Sequence, residues 1–211
     1  MTAPATAVIP IKGLANVKRR LAARLRKQER AALVLRLLAR ELEVLSRTAG
    51  IERIIVVTSE QRVAAFAEMR GAVVALEPDD GVNSAVQAGL ARAYAAGACR
   101  VLALHGDLPF VEVSDITALL AASAPGVLAL APDRRQRGTN AVVVQRGMEL
   151  GRHFGVDSYR RFVHAAAANG LEVRAVARPG LGFDLDVPAD LMDYRMRLGR
   201  AVETRSKAAL R

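Results

Sequence analysis

Cysteine and aromatic residues are scarce in this sequence of 211 residues. The single cysteine, Cys99, excludes an internal disulfide and a metal cluster built on cysteine ligands, and it favours a reducing compartment. Aromatic residues make up 4% of the chain and tryptophan is absent, which argues against a surface that stacks the bases of RNA or single-stranded DNA. The hydrophobic fraction is nevertheless 52%, so the core must consist of aliphatic side chains, as in parallel strands covered by helices.

Targeting and membrane-spanning segments are also lacking. The first residues, MTAPATAVIPIK, contain neither the basic segment nor the long apolar segment of a signal peptide. No apolar run reaches the roughly 18 residues that a membrane span needs. These absences predict a cytoplasmic protein that does not contact a membrane. The length predicts one domain, 1–211, in which residues from about 192 to 211 form a basic C-terminal helix or tail, and it leaves a homo-oligomer open.

Positive charge is abundant, and the formal net charge is +10. Basic residues concentrate in Lys18 to Arg30, in Arg134 to Arg137 and in the tail from Arg195 to Arg211. Such an excess is typical of proteins that bind nucleic acid or a small polyanion such as a nucleotide, and it also occurs on solvated surfaces. The lack of aromatic residues disfavours nucleic acid as the partner.

Strand-like runs alternate with helix-like runs along the chain. The predicted strands are 6–11, 51–59, 72–76, 100–105, 126–132, 140–145 and 171–177. The predicted helices are 28–47, 61–69, 82–96, one that begins at Ser114, 158–168 and one that begins at Pro188. This alternation predicts an α/β protein with a single doubly wound, mostly parallel sheet of about seven strands flanked by helices.

Asp107 follows one of the most apolar runs. In LALHGDLPFV, the apolar residues from Val101 to Leu104 lead through a histidine and a glycine to this carboxylate, and Pro109 prevents further regular structure. Open α/β sheets bind ligands at the carboxyl ends of their strands, so Asp107 is a candidate for an active-site rim. The alternative is that Asp107 only opens a turn.

Lysine side chains follow the first predicted strand in IPIKGLANVKRRL. Lys12 and Lys18 could hold the oxygens of a triphosphate and neutralise charge during displacement at phosphorus. The segment matches neither the P-loop nor the glycine-rich Rossmann motif. The alternative is a basic, solvated helix face.

Small polar residues stand near the predicted starts of two helices and one strand. Asn83 and Ser84 could cap the helix that follows, or they could contact a base or a phosphate. Thr139 leads into a strand in RGTNAVVV, and Gly155 and Ser158 precede a helix in FGVDSYRRF. Residues of this kind leave backbone N–H groups exposed for an anion, but they are also ordinary turn residues, and Ser158 could simply cap its helix.

A second acidic site lies in GFDLDVPADL. Asp184 and Asp186 alternate along an extended stretch and therefore share one side of the chain. One of them could meet Asp107 across the sheet. Magnesium binds to a few carboxylates together with phosphate oxygens, so this arrangement fits a magnesium site, whereas unpaired surface acids are the alternative.

The ordered set of these motifs resembles a known family. IPIKGLANVKRRL, DDGVNSAV, GDLP, RGTNAVVV, FGVDSY and FDLDVPADL follow one another as in the 2-phospho-L-lactate guanylyltransferase family, which is grouped with the molybdenum-cofactor guanylyltransferases. The resemblance implies a nucleotide-diphospho-sugar-transferase-like fold and a Mg²⁺-dependent enzyme of coenzyme F(420) biosynthesis. Such an enzyme joins GMP from GTP to a phosphorylated three-carbon acid and releases pyrophosphate. The sequence does not choose between 2-phospho-L-lactate, phosphoenolpyruvate and 3-phosphoglycerate.

The resemblance also implies roles for individual residues. The catalytic residues would be Lys12, Lys18 and Asp107. The nucleotide would be contacted by Lys12, Lys18, Asn83 and Ser84. The magnesium ligands would come from Asp107, Asp184 and Asp186. The carboxylate of the three-carbon acid would be received by Thr139, Gly155 and Ser158.

Two histidines depart from the pattern of the family. His105 stands where some relatives have a second acidic residue, which puts a second metal ion in doubt, and His164 comes later than the usual histidine and is given no role. Two other functions stay open. The chain could be another nucleotidyltransferase of the same fold, acting on molybdopterin or a sugar phosphate. It could also be a non-catalytic nucleic-acid-binding protein that uses its basic surface.

Overall fold

A computed structural model describes residues 3–14, 17–78, 80–148 and 151–209, with side chains described as far as residue 200. The strands are β1 Ala5–Ile11, β2 Ile51–Thr58, β3 Val73–Leu76, β4 Arg100–Leu104, β5 Val127–Pro132, β6 Thr139–Gln145 and β7 Glu172–Ala175. The α-helices are α1 Lys27–Arg47, α2 Gln61–Glu68, α3 Val82–Ala95, α4 Val113–Ala122, α5 Ser158–Ala168, α6 Pro179–Gly182 and α7 Pro188–Ala209.

The predicted fold class is confirmed. The described residues form one sheet of seven strands in the order β3-β2-β1-β4-β6-β5-β7, and helices flank it. Neighbouring strands are parallel except where β6 runs antiparallel to both β4 and β5. Leu102 of β4 therefore pairs with Ala7 of the parallel β1 on one side and with Val143 of the antiparallel β6 on the other.

Both faces of the central strands are buried, which explains their continuous apolar sequences. Successive residues of β1 point to opposite faces. Ile9 packs in a cluster with Leu38 of α1, whereas Val8 packs on the other face in a cluster with Ala93 of α3. Helix α3 lies close to the sheet because residue 89 is glycine, and a Cβ atom there would overlap the side chain of Val8.

Several local predictions need correction. Helix α3 begins at Val82 after Gly81, and no side chain caps it, so the prediction that Asn83 or Ser84 caps this helix is wrong. A short 3₁₀ helix at Arg19–Leu21 and the four-residue helix α6 were not predicted, because neither has a periodic apolar pattern long enough to be read.

The C-terminal segment is helical as far as the structure describes it. Helix α7 begins at Pro188, as predicted, and runs to Ala209. Residues 210 and 211 of the predicted basic segment lie outside the described ranges. Within those ranges, no helix has both the length and the apolar character that crossing a bilayer requires.

The strand order locates the place where a ligand is expected. From β1 the chain adds β2 and β3 on one side of the sheet, and β4 then pairs with β1 on the other side. In doubly wound sheets, ligands bind in the crevice between the carboxyl ends of two neighbouring parallel strands from which the chain continues to opposite sides of the sheet. Lys12 follows β1 directly and Asp107 follows β4 closely, so both lie at this point.

Candidate active site

A cleft of about 680 Å³ opens at the carboxyl ends of β1 and β4. Eight residues that the sequence analysis singled out line it: Lys12, Lys18, Asp107, Thr139, Gly155, Ser158, Asp184 and Asp186. The cleft therefore contains every candidate for binding the metal and the acid, together with both candidate lysines.

Lys18 joins two acidic segments that are distant in the sequence. Its Nζ atom lies 2.6 Å from Asp107 Oδ2 and 2.7 Å from Asp186 Oδ1. Burial lowers the pKa of the Lys18 ammonium group, but the two carboxylates together outweigh this effect and hold the pKa above its ordinary value. The ammonium group is therefore charged at neutral pH.

The backbone at Lys18 is strained in order to place this ammonium group. Lys18 has φ 49° and ψ 44°, a left-handed conformation that costs a residue with a side chain about 1 kcal/mol or more. Two charge-assisted hydrogen bonds from Nζ offset this cost. Strain of this kind persists where the surrounding structure fixes the residue, as it often does at functional sites.

Asp107 is held by one contact of its side chain and one of its backbone. Its side chain pairs with Lys18, and its backbone oxygen accepts a hydrogen bond of 3.1 Å from Leu185 N, which ties the GDLP turn to the FDLDV segment. Burial raises the pKa of Asp107, but the charge of Lys18 and its hydrogen bond to Asp107 outweigh this effect, so the pKa lies below its ordinary value. Among the described residues, no group donates a hydrogen bond to the buried Oδ1 atom of Asp107.

Asp184 adds a third carboxyl group to the cleft. Burial and the negative charges of Asp107 and Asp186 raise its pKa to about 6. Asp184 therefore lies in the negative potential of Asp107 and Asp186, and a bound cation would relieve this repulsion. Binding a cation near pH 6 would release the proton of Asp184.

The donor atoms fit a divalent cation that binds together with a substrate. The described residues contain no group of three His, Cys, Asp or Glu side chains that could hold a metal ion unaided. Magnesium is usually held by one or two carboxylates, with phosphate oxygens and water completing the shell. Here the Lys18 ammonium group already lies between Asp107 and Asp186, and the unpaired Asp107 Oδ1 is a free oxygen ligand.

Asn83 and Ser84 are not among the described residues that line the cleft, whereas the neighbouring Gly81 and Val82 are. The Asn83 amide makes two hydrogen bonds with the backbone of Phe154, donating to its oxygen at 3.0 Å and accepting from its nitrogen at 2.9 Å. Asn83 therefore fixes the segment that leads to Gly155. A direct contact of Asn83 or Ser84 with a nucleotide stays a prediction.

The hydroxyl groups of Thr139 and Ser158, together with Gly155, line another part of the cleft. Thr139 Oγ1 is buried and has no hydrogen-bond partner among the described residues. Gly155 has φ 119°, a conformation that side chains rarely tolerate. Ser158 is the first residue of α5, but Asp157 occupies the N-cap position and no side chain caps the helix, so the interpretation of Ser158 as a cap is wrong. These hydroxyl groups are available to a ligand.

Neither His105 nor His164 supplies a charge to the cleft. His105 lines the cleft, is half-buried and packs against Phe154, with the centres of the two rings 5.1 Å apart. Burial lowers the pKa of His105, so its imidazole is neutral at neutral pH. His164 is exposed on α5, where its Nε2 atom accepts a hydrogen bond of 3.3 Å from Arg160.

Glu41 was missed by the sequence analysis. It is completely buried in α1, and its Oε1 atom accepts a hydrogen bond of 2.9 Å from the backbone nitrogen of Leu108, next to Asp107. Burial raises the pKa of Glu41 well above its ordinary value, which favours the protonated form of the carboxyl group. The signal was present: Glu41 follows Leu37 and Leu38 at helical spacing, and a carboxyl group on a buried stripe requires a partner.

Replacing Glu41 with glutamine is expected to flatten the pH dependence of stability. The folded chain retains a proton that the unfolded chain releases above about pH 4.5. Wild-type stability should therefore fall by up to about 1.4 kcal/mol per pH unit above that point, until the folded pKa is reached. Glutamine keeps an acceptor for Leu108 and has no proton to release. Denaturant unfolding of both proteins from about pH 5 to pH 8 measures the difference, and parallel stability curves would contradict the protonated state.

Comparison with known proteins identifies the family of the chain. The family model described as guanylyl transferase CofC like matches residues 5–209. The chain belongs to this family. It is a nucleotidyltransferase, and membership of the guanylyl transferase family decides against the non-catalytic nucleic-acid-binding alternative.

Relatives in the family are similar over most of their length. A phosphoenolpyruvate guanylyltransferase from Sphaerobacter thermophilus is 38% identical over 185 residues, which cover 88% of this chain and 89% of the relative. A 3-phospho-D-glycerate guanylyltransferase from Phenylobacterium zucineum is 35% identical over 193 residues, which cover 90% of this chain and 88% of the relative.

Solved structures share the fold at low sequence identity. A protein from Desulfovibrio desulfuricans described as a nucleotide-diphospho-sugar transferase superposes with a TM-score of 0.70 and 16% identity, covering 90% of this chain and 85% of its own. A manganese complex of a Mycobacterium tuberculosis protein superposes with a TM-score of 0.61 and 19% identity, covering 91% of this chain and 98% of its own. The fold expected for the guanylyl transferase family is confirmed.

Proposed function

We propose that the protein transfers GMP from GTP to the phosphate of a phosphorylated three-carbon acid and releases pyrophosphate. The observation that carries this proposal is that one cleft joins the Lys18–Asp107–Asp186 cluster to the hydroxyl groups of Thr139 and Ser158. With a divalent cation bound to its carboxylates, a cluster of this kind would suit a triphosphate, and an uncharged polar pocket beside it suits a second, smaller anion. The resemblance to the 2-phospho-L-lactate guanylyltransferase family supports a place in coenzyme F(420) biosynthesis.

The reaction needs no general base from the protein. An oxygen of the acid's phosphate forms a bond to the α-phosphorus of GTP, and the bond from that phosphorus to the β-phosphate oxygen breaks. The electron pair leaves with pyrophosphate. Because a phosphate dianion is already a nucleophile, the main tasks of the protein are positioning and stabilisation of charge.

The lysines act on the triphosphate. Lys12 is exposed at the end of β1 and lines the cleft, so its ammonium group is available to phosphate oxygens. Lys18 is fixed by two carboxylates and offers its charge from a constant position. Such preorganised charge stabilises the negative charge that develops on the leaving pyrophosphate.

Asp107, with Asp184 or Asp186, would hold a magnesium ion. The bound ion would supply Lewis-acid polarisation of phosphate oxygens. The unpaired Oδ1 atom of Asp107 and the raised pKa of Asp184 support this assignment, because both indicate that a cation is favoured here. The carboxylates of Asp107 and Asp186 would then interact with both the ion and the ammonium group of Lys18.

Thr139, Gly155 and Ser158 would receive the carboxylate of the acid. Their hydroxyl and backbone N–H groups lie at the start of β6 and of α5, where the helix end carries partial positive charge. Phosphoenolpyruvate is the first acid to test, because the relative from Sphaerobacter thermophilus bears its name, and 3-phosphoglycerate is the second.

A pyrophosphate-release assay tests the proposal. The purified protein is mixed with GTP, Mg²⁺ and, in turn, phosphoenolpyruvate, 3-phosphoglycerate or 2-phospho-L-lactate. Pyrophosphate release is expected with at least one of the acids and should be absent when no acid is added. Release should be slower when ATP replaces GTP. A folded protein that releases pyrophosphate with none of the three acids would contradict the proposed function.

Replacing Ser158 with alanine is expected to weaken acid binding selectively. Loss of one hydrogen bond to a carboxylate is worth about 1.4 kcal/mol, so KM for the acid should rise about tenfold while KM for GTP changes little. Steady-state kinetics in which each substrate is varied separately measures both constants. Ser46→Ala on the exposed surface of α1 serves as the control. An equal change in both KM values, or in neither, would remove Ser158 from the acid site.

A further inference from the structure

The loop from Asp133 to Gly138 joins β5 to β6. It lies between the part of the cleft that contains the carboxylates and the part that contains Ser158. Arg134 N donates a hydrogen bond of 2.8 Å to Gly182 O, which precedes the FDLD segment. Tyr159 N donates a hydrogen bond of 3.1 Å to Arg137 O, next to Ser158. The loop therefore contacts both the segment that carries the carboxylates and the start of α5.

The backbone of this loop is fixed before any ligand binds. Asp133 Oδ1 accepts hydrogen bonds from Arg135 N at 3.0 Å and Arg137 N at 2.9 Å, and Asp133 N donates to Gly138 O at 3.0 Å. A Cβ atom at residue 138 would lie 2.9 Å from Asp133 Oδ2, so glycine lets the loop close without displacing the Asp133 side chain. A loop of this rigidity presents its side chains with little entropic cost on binding.

The three arginines of the loop have different surroundings. Arg134 pairs with Asp190 and, at 3.6 Å, with Asp193, and its guanidinium group lies over the ring of Phe183. Arg137 pairs with Asp157 at 3.1 Å. The guanidinium group of Arg135 has no hydrogen bond or ion pair with any described residue, and Arg135 lines the cleft. Only Arg135, of these three, has a charge that is not already neutralised nearby.

The proposed acid site needs such a charge. A phosphorylated three-carbon acid carries a phosphate dianion as well as a carboxylate, but Thr139, Gly155 and Ser158 offer hydroxyl and N–H groups without a formal charge. Arg135 belongs to the loop that continues directly into Thr139 and touches the start of α5. A guanidinium group is suited to two parallel hydrogen bonds with phosphate oxygens.

We propose that Arg135 binds the phosphate of the three-carbon acid and orients its attacking oxygen. This inference rests on the proposed function and adds the residue that selects phosphorylated acids over their unphosphorylated analogues. By its position Arg135 serves the incoming acid, whereas Lys12 and Lys18 serve the triphosphate of GTP.

Steady-state kinetics of Arg135→Gln, with each substrate varied separately, tests the inference. KM for the acid should rise about ten- to a hundredfold, and KM for GTP should stay within about twofold. Arg135→Lys should recover part of the loss, because it restores charge without the bidentate geometry. Arg137→Gln is the matched control: it removes the same charge from the same loop, but its side chain pairs with Asp157 and does not line the cleft.

Two kinetic outcomes would overturn the inference. A raised KM for GTP with an unchanged KM for the acid would assign Arg135 to the triphosphate. Unchanged values for both substrates, or equal changes in Arg135→Gln and Arg137→Gln, would make Arg135 a surface charge.

A binding measurement separates failure of this inference from failure of the proposed function. Phosphoenolpyruvate and pyruvate are each titrated into wild type and Arg135→Gln, and the rise in thermal stability is recorded. Wild type should bind phosphoenolpyruvate more tightly than pyruvate, and the variant should lose most of this preference. Wild type that prefers phosphoenolpyruvate but shows no turnover would contradict the function alone, whereas a preference that survives in the variant would contradict the role of Arg135.

Discussion

Asp107→Asn is expected to reduce pyrophosphate release from GTP by at least about a hundredfold while the protein stays folded. Asparagine removes one negative charge and one metal-binding oxygen, but it retains an oxygen that accepts the hydrogen bond from Lys18 Nζ. Its volume is almost unchanged, so no cavity forms. The loss should therefore appear in kcat and in the concentration of Mg²⁺ needed for half-maximal rate.

The control for Asp107→Asn is Asp193→Asn. Asp193 also belongs to ion pairs, with Arg134 and Arg197, but it does not line the cleft. The Asp193→Asn substitution should leave the rate of pyrophosphate release nearly unchanged. Normal activity of Asp107→Asn would mean that Asp107 is a turn residue. A collapse of thermal stability in step with activity would mean that its task is structural.

Lys18→Met is expected to reduce turnover to a similar degree and also to destabilise the protein. Methionine fills the same space, but Asp107 and Asp186 then face each other without a cation. We expect a loss of about 2 kcal/mol, less than for a fully buried pair, because the Asp186 side chain is 42% exposed. Added Mg²⁺ should raise the melting temperature of the variant more than that of wild type, because the ion no longer competes with the ammonium group.

Lys12→Met is the matched control for this effect. Lys12 lines the same cleft but is exposed. The Lys12→Met substitution should lower activity without lowering stability. Added Mg²⁺ should raise its melting temperature no more than that of wild type. Equal Mg²⁺ responses in wild type and Lys18→Met would contradict the view that Lys18 occupies a cation position between metal-binding carboxylates.

Much of the fold could be predicted because buried parallel strands have a distinct sequence pattern. The apolar runs in β1, β2 and β4 and the leucine stripe of α1 fixed the element types and most of their ends. The direction of β6 could not be predicted, since an apolar run reads the same in a parallel and in an antiparallel strand. The sequence therefore supports a mostly parallel sheet without showing which strand is reversed.

The types of residue in the site were predictable, but their partners were not. Carboxylates after strands indicated Asp107 and Asp186, yet nothing local in the sequence shows that a left-handed Lys18 joins them. Asn83 was predicted to contact the nucleotide or to cap α3, but no side chain caps this helix, Asn83 does not line the cleft, and its amide binds the backbone of Phe154. Glu41 was missed because it was read only as part of a helix and not as a buried carboxyl group.

Isotope tracing tests the central claim most directly. Phosphoenolpyruvate, or whichever acid supports turnover, is prepared with a heavy oxygen isotope in the terminal oxygens of its phosphate and incubated with GTP, Mg²⁺ and the protein. The proposed reaction predicts a product with GMP joined to the acid's phosphate that keeps all of the label, including one labelled oxygen bridging the two phosphorus atoms, and pyrophosphate without label. Labelled pyrophosphate, or free GMP in place of the joined product, would contradict attack of the acid's phosphate on the α-phosphorus of GTP.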